Sequence, residues 1–162
     1  MAYRISRNLE ASIIQYLQTK LEEDGWNGVN VEKTFKRVYS TEVTVPIICV
    51  RLGNTDHEFV EIGTNSTMRN PLILVDIFAS SDGQRLDLKD YLISILKHGC
   101  IYYEYVINGN GEIESKIANG KIKILGIDDT IVDLNIDKDA LDPKDRYRHL
   151  ISLNISLDKV EL

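Results

Sequence analysis

Leu72-Ile73-Leu74-Val75-Asp76-Ile77-Phe78-Ala79 is followed by Ser80-Ser81-Asp82-Gly83-Gln84-Arg85-Leu86-Asp87-Leu88-Lys89-Asp90-Tyr91-Leu92 and, a turn later, by Ile95-Leu96-Lys97-His98-Gly99. The period changes within this stretch, and that change decides the fold. Its first segment is apolar at both alternating positions except for Asp76, which predicts a central strand covered on both faces. From there Leu88, Tyr91, Leu92, Ile95 and Leu96 recur at the spacing of one helix face. Ser81-x-x-Gln84 reads as a capping box at the helix start. Lys97 and His98 suit the negative end of the helix dipole, and Gly99 is the stop signal.

Working outward, Pro46-Ile47-Ile48-Cys49-Val50-Arg51-Leu52 has the same two-sided apolar pattern and predicts a second central strand. Phe59-Val60-Glu61-Ile62 reads as a strand, joined to the one at Leu72 by the polar loop Gly63-Thr64-Asn65-Ser66-Thr67. Val29 to Tyr39 is rich in β-branched and aromatic residues and predicts a strand leading into an exposed loop at Thr41-Glu42-Val43-Thr44. Leu9, Ile13, Ile14, Leu17 and Leu21 predict a first helix from Arg7 to Asp24, with Ser6 as N-cap and Gly25 as stop. Downstream, Ile101 to Ile107, Glu112 to Ala118 and Lys121 to Ile127 are separated by Asn108-Gly109-Asn110-Gly111 and Asn119-Gly120, which predicts an antiparallel meander. Ile151, Leu153, Ile155 and Leu157 alternate with Ser152, Asn154 and Ser156, the pattern of a strand with one wet face.

The expected fold is therefore a single α+β domain over residues 1–162. It has a mostly antiparallel mixed sheet, two helices packed on one face, and a β-hairpin or meander insertion. A chain of 162 residues, 43% hydrophobic and 27% charged, builds such a core without metals or disulfides. The longest apolar runs, Val45 to Val50 and Pro71 to Ala79, are far shorter than the roughly 20 residues of a membrane-spanning helix. The beginning of the chain lacks the apolar core of a signal peptide, and Cys49 and Cys100 form no CxxC pair. Both features lead us to expect a cytosolic protein with reduced, structural thiols. A net charge of -6 argues against independent nucleic-acid binding, which relies on Lys and Arg at phosphates.

No catalytic, cofactor or metal set is legible, so we expect a protein that is not an enzyme. His57, His98 and His149 lie in separate elements without ligand spacing. Asp56-His57-Glu58 with Glu61 is dense in possible ligands, but no glycine turn organises it. The aspartates Asp128, Asp129, Asp133, Asp137, Asp139 and Asp142 lack the glycine and terminal glutamate of an EF-hand loop and read as a solvated connection. Glu114-Ser115-Lys116 has the ExK form of Mg²⁺-dependent nucleases, and Asp76 would be the missing acid if its strand lay beside Glu114. The Pro-Asp that precedes such a motif is missing.

Taken in order, these elements resemble the tail terminator, or tail completion, proteins of long-tailed bacteriophages, the lambda-like family. The resemblance is carried by the first helix, by the strand at Pro46 to Leu52, by Val60-Glu61-Ile62-Gly63 leading to Leu72-Ala79, and by Gly83 to Leu92. It covers nearly the whole chain, and the stretch from Asn108 to Gly120 departs from the family pattern. It implies a virion protein of the tail or neck, assembled in the host cytoplasm, that ends tail-tube growth and joins tail to head. It also implies a homohexameric ring touching the tail-tube protein and a head-side connector, with genomic DNA passing through the pore unbound. A head-closure or connector protein of the neck is the alternative within this class, and the nuclease using Asp76, Glu114 and Lys116 is the alternative outside it. The polar loops supply the candidate contact residues Ser40, Thr41, Glu42 and Thr44, and Thr64, Asn65, Ser66, Thr67, Met68 and Arg69.

Overall fold

Helix α1 (Ile5–Glu23) buries Leu9, Ile13, Leu17 and Leu21, four members of the apolar stripe in the sequence. Our computed structural model describes residues 4–59, 67–134 and 136–158. The helix begins after Arg4 with no side-chain cap, so Ser6 lies inside the first turn and is not the N-cap. Each buried Leu or Ile is worth roughly 1.5–3 kcal/mol, which outweighs the ~1 kcal/mol a cap supplies. Packing therefore sets this helix start. Its other end is as expected: Gly25 follows with φ of 79°.

Strand β1 (Asn30–Glu32) is only three residues long, and the predicted strand from Val29 to Tyr39 ends there. The chain then turns into the short helix α2 (Phe35–Val38), capped by the Thr34 hydroxyl, which accepts from the Arg37 amide. The one-turn helix places Val38 in a small second core with Val43, Ile47, Cys49 and Phe78. The β-branched and aromatic content that suggested a strand serves this packing instead.

The remaining elements are β2 (Ile47–Phe59), β3 (Thr67–Ala79), α3 (Asp82–Leu96), β4 (Cys100–Ile107), β5 (Ile113–Val132) and β6 (Tyr147–Asp158). They form one six-stranded sheet in the order β1-β2-β3-β6-β5-β4, with β1 parallel to β2 and every other pair antiparallel. The fold is α+β with a mixed sheet, as expected. Both predicted central strands are flanked on each side, and β6 alternates buried Ile151, Leu153 and Ile155 with more exposed neighbours. Helices α1 and α3 share one face: their apolar stripes join Ile48, Val50, Ile73, Val75, Ile77, Ile151 and Leu153 in the main core.

Two turn expectations change. Thr67, placed at the end of the predicted loop from Gly63, pairs with Phe59 in β3 instead; Val60 to Ser66, with the predicted strand residues Val60-Glu61-Ile62, lie outside the described residues. Asn119-Gly120 does not close a hairpin either. β5 runs straight through it, so the expected meander is one hairpin. Ile101 pairs with Lys121 and Tyr103 with Ala118, which leaves both Asn119 and Gly120 opposite Tyr102 as a bulge. Gly120, at φ of 101°, uses its conformational freedom to absorb the extra residue rather than to reverse the chain.

Helix α3 is capped by Ser81, whose hydroxyl accepts from the Gln84 amide, while the Gln84 side chain accepts from the Ser80 amide and hydroxyl. The chain leaves α3 through Gly99 at φ of 67°, where a Cβ would stand 2.2 Å from the Ile122 carbonyl oxygen. That oxygen is backbone of a neighbouring strand and has no room to retreat. Gly99→Ala should therefore destabilise the fold by roughly 1–3 kcal/mol or more, read as a lowered Tm in thermal unfolding.

Candidate interaction surface

The predicted contact loop at 40–44 is a lid over the second sheet face. Val43 is buried at its centre, while Thr41, Glu42 and Thr44 are exposed and Ser40 is half-buried. Lys144 donates from Nζ to the carbonyls of Val38 and Ser40, 2.7 Å each, and Asn30 Nδ2 donates to the Thr44 carbonyl. Glu42 pairs with Arg37 on the surface. Of the second predicted loop, Thr64, Asn65 and Ser66 lie outside the described residues. Thr67, Met68 and Arg69 are part of β3, opposite Phe59, Glu58 and His57, rather than in a loop.

Asp76 sits beneath the lid, 1% exposed. Its carboxylate accepts from Arg51 Nε at 3.0 Å and faces Arg148 Nη2 at 3.4 Å. Both guanidiniums also lie over aromatic rings, Arg51 over Phe35 and Arg148 over Phe78. Arg148 continues to Asp145, which accepts from the Tyr39 hydroxyl. Burial and this hydrogen bond push the Tyr39 hydroxyl up to about 12. The network fastens α2 and the lid to the sheet. It does not assemble the nuclease set: Asp76 is level with Leu150 and, across β6, with Thr130, whereas Glu114 and Lys116 lie far along β5 beside β4. Asp76 is thus two strands away from β5 and near its opposite end.

The histidines are likewise separate. His57 lies on the outer part of β2, His98 follows α3, and His149 is buried on β6. An Arg guanidinium has no acceptor, so His149 Nδ1 accepts from Arg85 Nη1 at 2.7 Å and the Nε2 hydrogen is given to Asp129 at 2.7 Å. Asp82 holds the other side of Arg85. Asp56, His57 and Glu58 are consecutive on β2 and so alternate between faces, and Glu61 lies outside the described residues. Among the described residues no group of three His, Cys, Asp or Glu is placed to hold a metal.

The surfaces that stand out were not singled out by the sequence. β4 pairs with β5 only up to Ile122, so among the described residues β5 from Lys123 to Val132 has a strand neighbour on one side alone, β6. The outer parts of two hairpins, β2–β3 and β4–β5, extend past the strands beside them, and antiparallel pairing puts both arms at the same end of the sheet. Apolar residues are exposed along the β4–β5 arm and the open edge: Ile113 57%, Ile117 61% and Leu125 65%. Between α1 and the arm runs a groove with two adjoining parts of about 550 and 450 Å³, which share Gln15 and Lys116. Gln15 accepts from the Tyr105 hydroxyl, and Lys116 Nζ lies 4.4 Å from the Tyr103 ring centre. The exposed Ile113 and Ile117 were the available signal. They alternate with polar residues like any half-buried strand, and only the structure shows that no other described element covers them.

No helix among the described residues is long and apolar enough to cross a membrane. No family model matches the chain, and no curated protein matches it.

Asp76→Asn should lower stability by about 2–4 kcal/mol, toward the lower value because Arg51 is partly solvated, measured by chemical denaturation. Burial pushes the thiols of Cys49 and Cys100 up to about 12. A group raised that far stays protonated at pH 8, with on the order of one molecule in ten thousand as thiolate. Alkylation at pH 8 should therefore be slow in the native protein and fast in denaturant, followed by mass spectrometry.

Proposed function

We propose that this chain is a ring-forming structural subunit of a bacteriophage tail or neck, most concretely a tail terminator that ends tube growth and offers a docking surface to the head-side connector. The observation that carries the proposal is the open edge of β5 from Lys123 to Val132, continuous with the exposed apolar residues of the β4–β5 arm. An edge of this length is a template for association, and soluble monomers ordinarily cover or shorten it. A subunit that works inside an assembly has neighbours to cover it. The resemblance of the element order to the lambda-like tail terminators supports the same reading, because ring subunits act through complementary surfaces rather than reacting groups.

The net charge of -6 fits the role as well. A pore lined by acidic subunits lets DNA pass without gripping its phosphates. On this reading the protein is made in the host cytoplasm and ends in the neck of the virion.

Light scattering across a concentration series tests the ring. A species near six chains is expected, and a monomer at every concentration overturns the proposal. Addition to polymerising tail-tube protein separates the two neck roles: a terminator halts tube growth, whereas a head-closure subunit forms a ring and leaves growth unchanged.

A further inference from the structure

The groove between α1 and the β4–β5 arm reverses the sign of the molecule. Arg7, Lys33, Lys116 and Lys121 line it, against the single carboxylate of Glu10. Glu10 is turned toward the sheet, where it accepts the Leu52 amide. None of the four cations has a carboxylate partner among the described residues. Uncompensated cations clustered on a chain of net charge -6 are a surface made for an acidic partner. Ile14 and Ile113 give the same groove an apolar wall.

The complementary chemistry is on the chain itself. Residues 133–142, between β5 and β6, carry Asp137, Asp139 and Asp142 beside Leu134 and Ile136, which are 41% and 57% exposed. Asp137 and Asp142 cap two short 3₁₀ turns, Lys138–Ala140 and Pro143–Asp145, which give residues 137–145 a defined shape. The segment leaves the sheet at the end of β5 opposite to the arm. At about 3.3 Å per residue, the strand from Lys116 to Val132 spans roughly 50 Å. The segment of one copy therefore lies at the other end of β5 from its own Lys116 and Lys121.

We propose that Leu134 and residues 136–142 of one copy seat in the groove of the next, with Asp137 and Asp139 among the groove cations and Leu134 and Ile136 against Ile14 and Ile113. This rests on the ring reading above and names its interface. The two surfaces differ, so the contact is head-to-tail, and repetition of it closes a ring when the rotation between copies completes a circle.

The test uses full-length chains. Lys33→Glu/Lys116→Glu blocks the groove and Ile136→Ser/Asp139→Asn blocks the segment without giving it a charge the altered groove would attract; all four side chains are exposed, and circular dichroism checks that the fold is kept. Each variant alone should need a concentration higher by roughly tenfold or more to assemble. An equimolar mixture should stop at a two-chain species, since one intact groove meets one intact segment and no further junction forms. If the groove variant does not fold, Lys121→Glu replaces it. Carbodiimide treatment of the wild type should join Lys116 or Lys121 to Asp137 or Asp139 between copies. Variants that form the wild-type ring at wild-type concentrations overturn this interface and leave the ring reading standing. A wild-type chain that stays monomeric removes both.

Discussion

Asn8 and Ser12 are buried on α1, and their side-chain oxygens accept the amides of Tyr105 and Tyr103 on the outer edge of β4. An unsatisfied buried amide costs about 1–3 kcal/mol, so β4 is a covered edge only because this helix lies against it. The Ser12 hydroxyl gives its own hydrogen to the Asn8 carbonyl at 2.7 Å, which keeps the helix backbone intact while the oxygen faces the strand. On its other side α1 presents Glu10 to the Leu52 amide of β2. One helix thus serves β4 at one end of the strand order and β2, where it runs past the short β1, near the other, and the sheet has to curl around it to bring both within reach.

The rest of the architecture depends on that curl. Helix α3 packs beside α1, tied to it by the Tyr16 hydroxyl on the Ile95 carbonyl and the Tyr91 hydroxyl on the Lys20 carbonyl. With the helices filling the inner face, the outer face is covered, among the described residues, by the segment from α2 to Val43 and the turn Pro143–Asp145 beside it. That segment reaches Ile47, Cys49 and Phe78 but not the far strands. The buried Asp76 is held by one Arg from β2 and one from β6, so the charge network fixes the segment's position more than it adds stability.

Local periodicity is the part of the fold that was legible in the sequence. The two central strands, the final alternating strand, the two long helices and the Ser81 cap are each visible as residue spacing. Where one signal has two uses, the sequence was ambiguous. Asn119-Gly120 supplies a left-handed residue, which serves a bulge as well as a turn, and only the pairing of Tyr103 with Ala118 distinguishes them. Phe35 and Val38 suit a strand or a single helical turn, and the small core around Phe78 decides. The groove was out of reach for a different reason. Its walls come from α1 and from β5, about a hundred residues apart in sequence, and cations such as Lys33 and Lys116 acquire a shared meaning only when folding brings them together.

The open edge of β5 also constrains the kind of assembly it can enter. Two such edges pairing antiparallel about Asp128 and Asp129 would set these carboxylates of one copy against those of another, and like charges directly opposed are destabilising. The bulge at Leu125, where the register shifts between Ile124 and Gly126, interrupts the hydrogen-bonding row besides. Charge and bulge together work against one symmetric pairing of this edge, that centred on the aspartates, and leave the edge available to a different surface of a neighbouring copy. They give no protection against a surface of opposite sign. The aspartates that oppose a symmetric pairing centred on them leave the edge open to a head-to-tail contact, and head-to-tail contact is the geometry that builds rings larger than two.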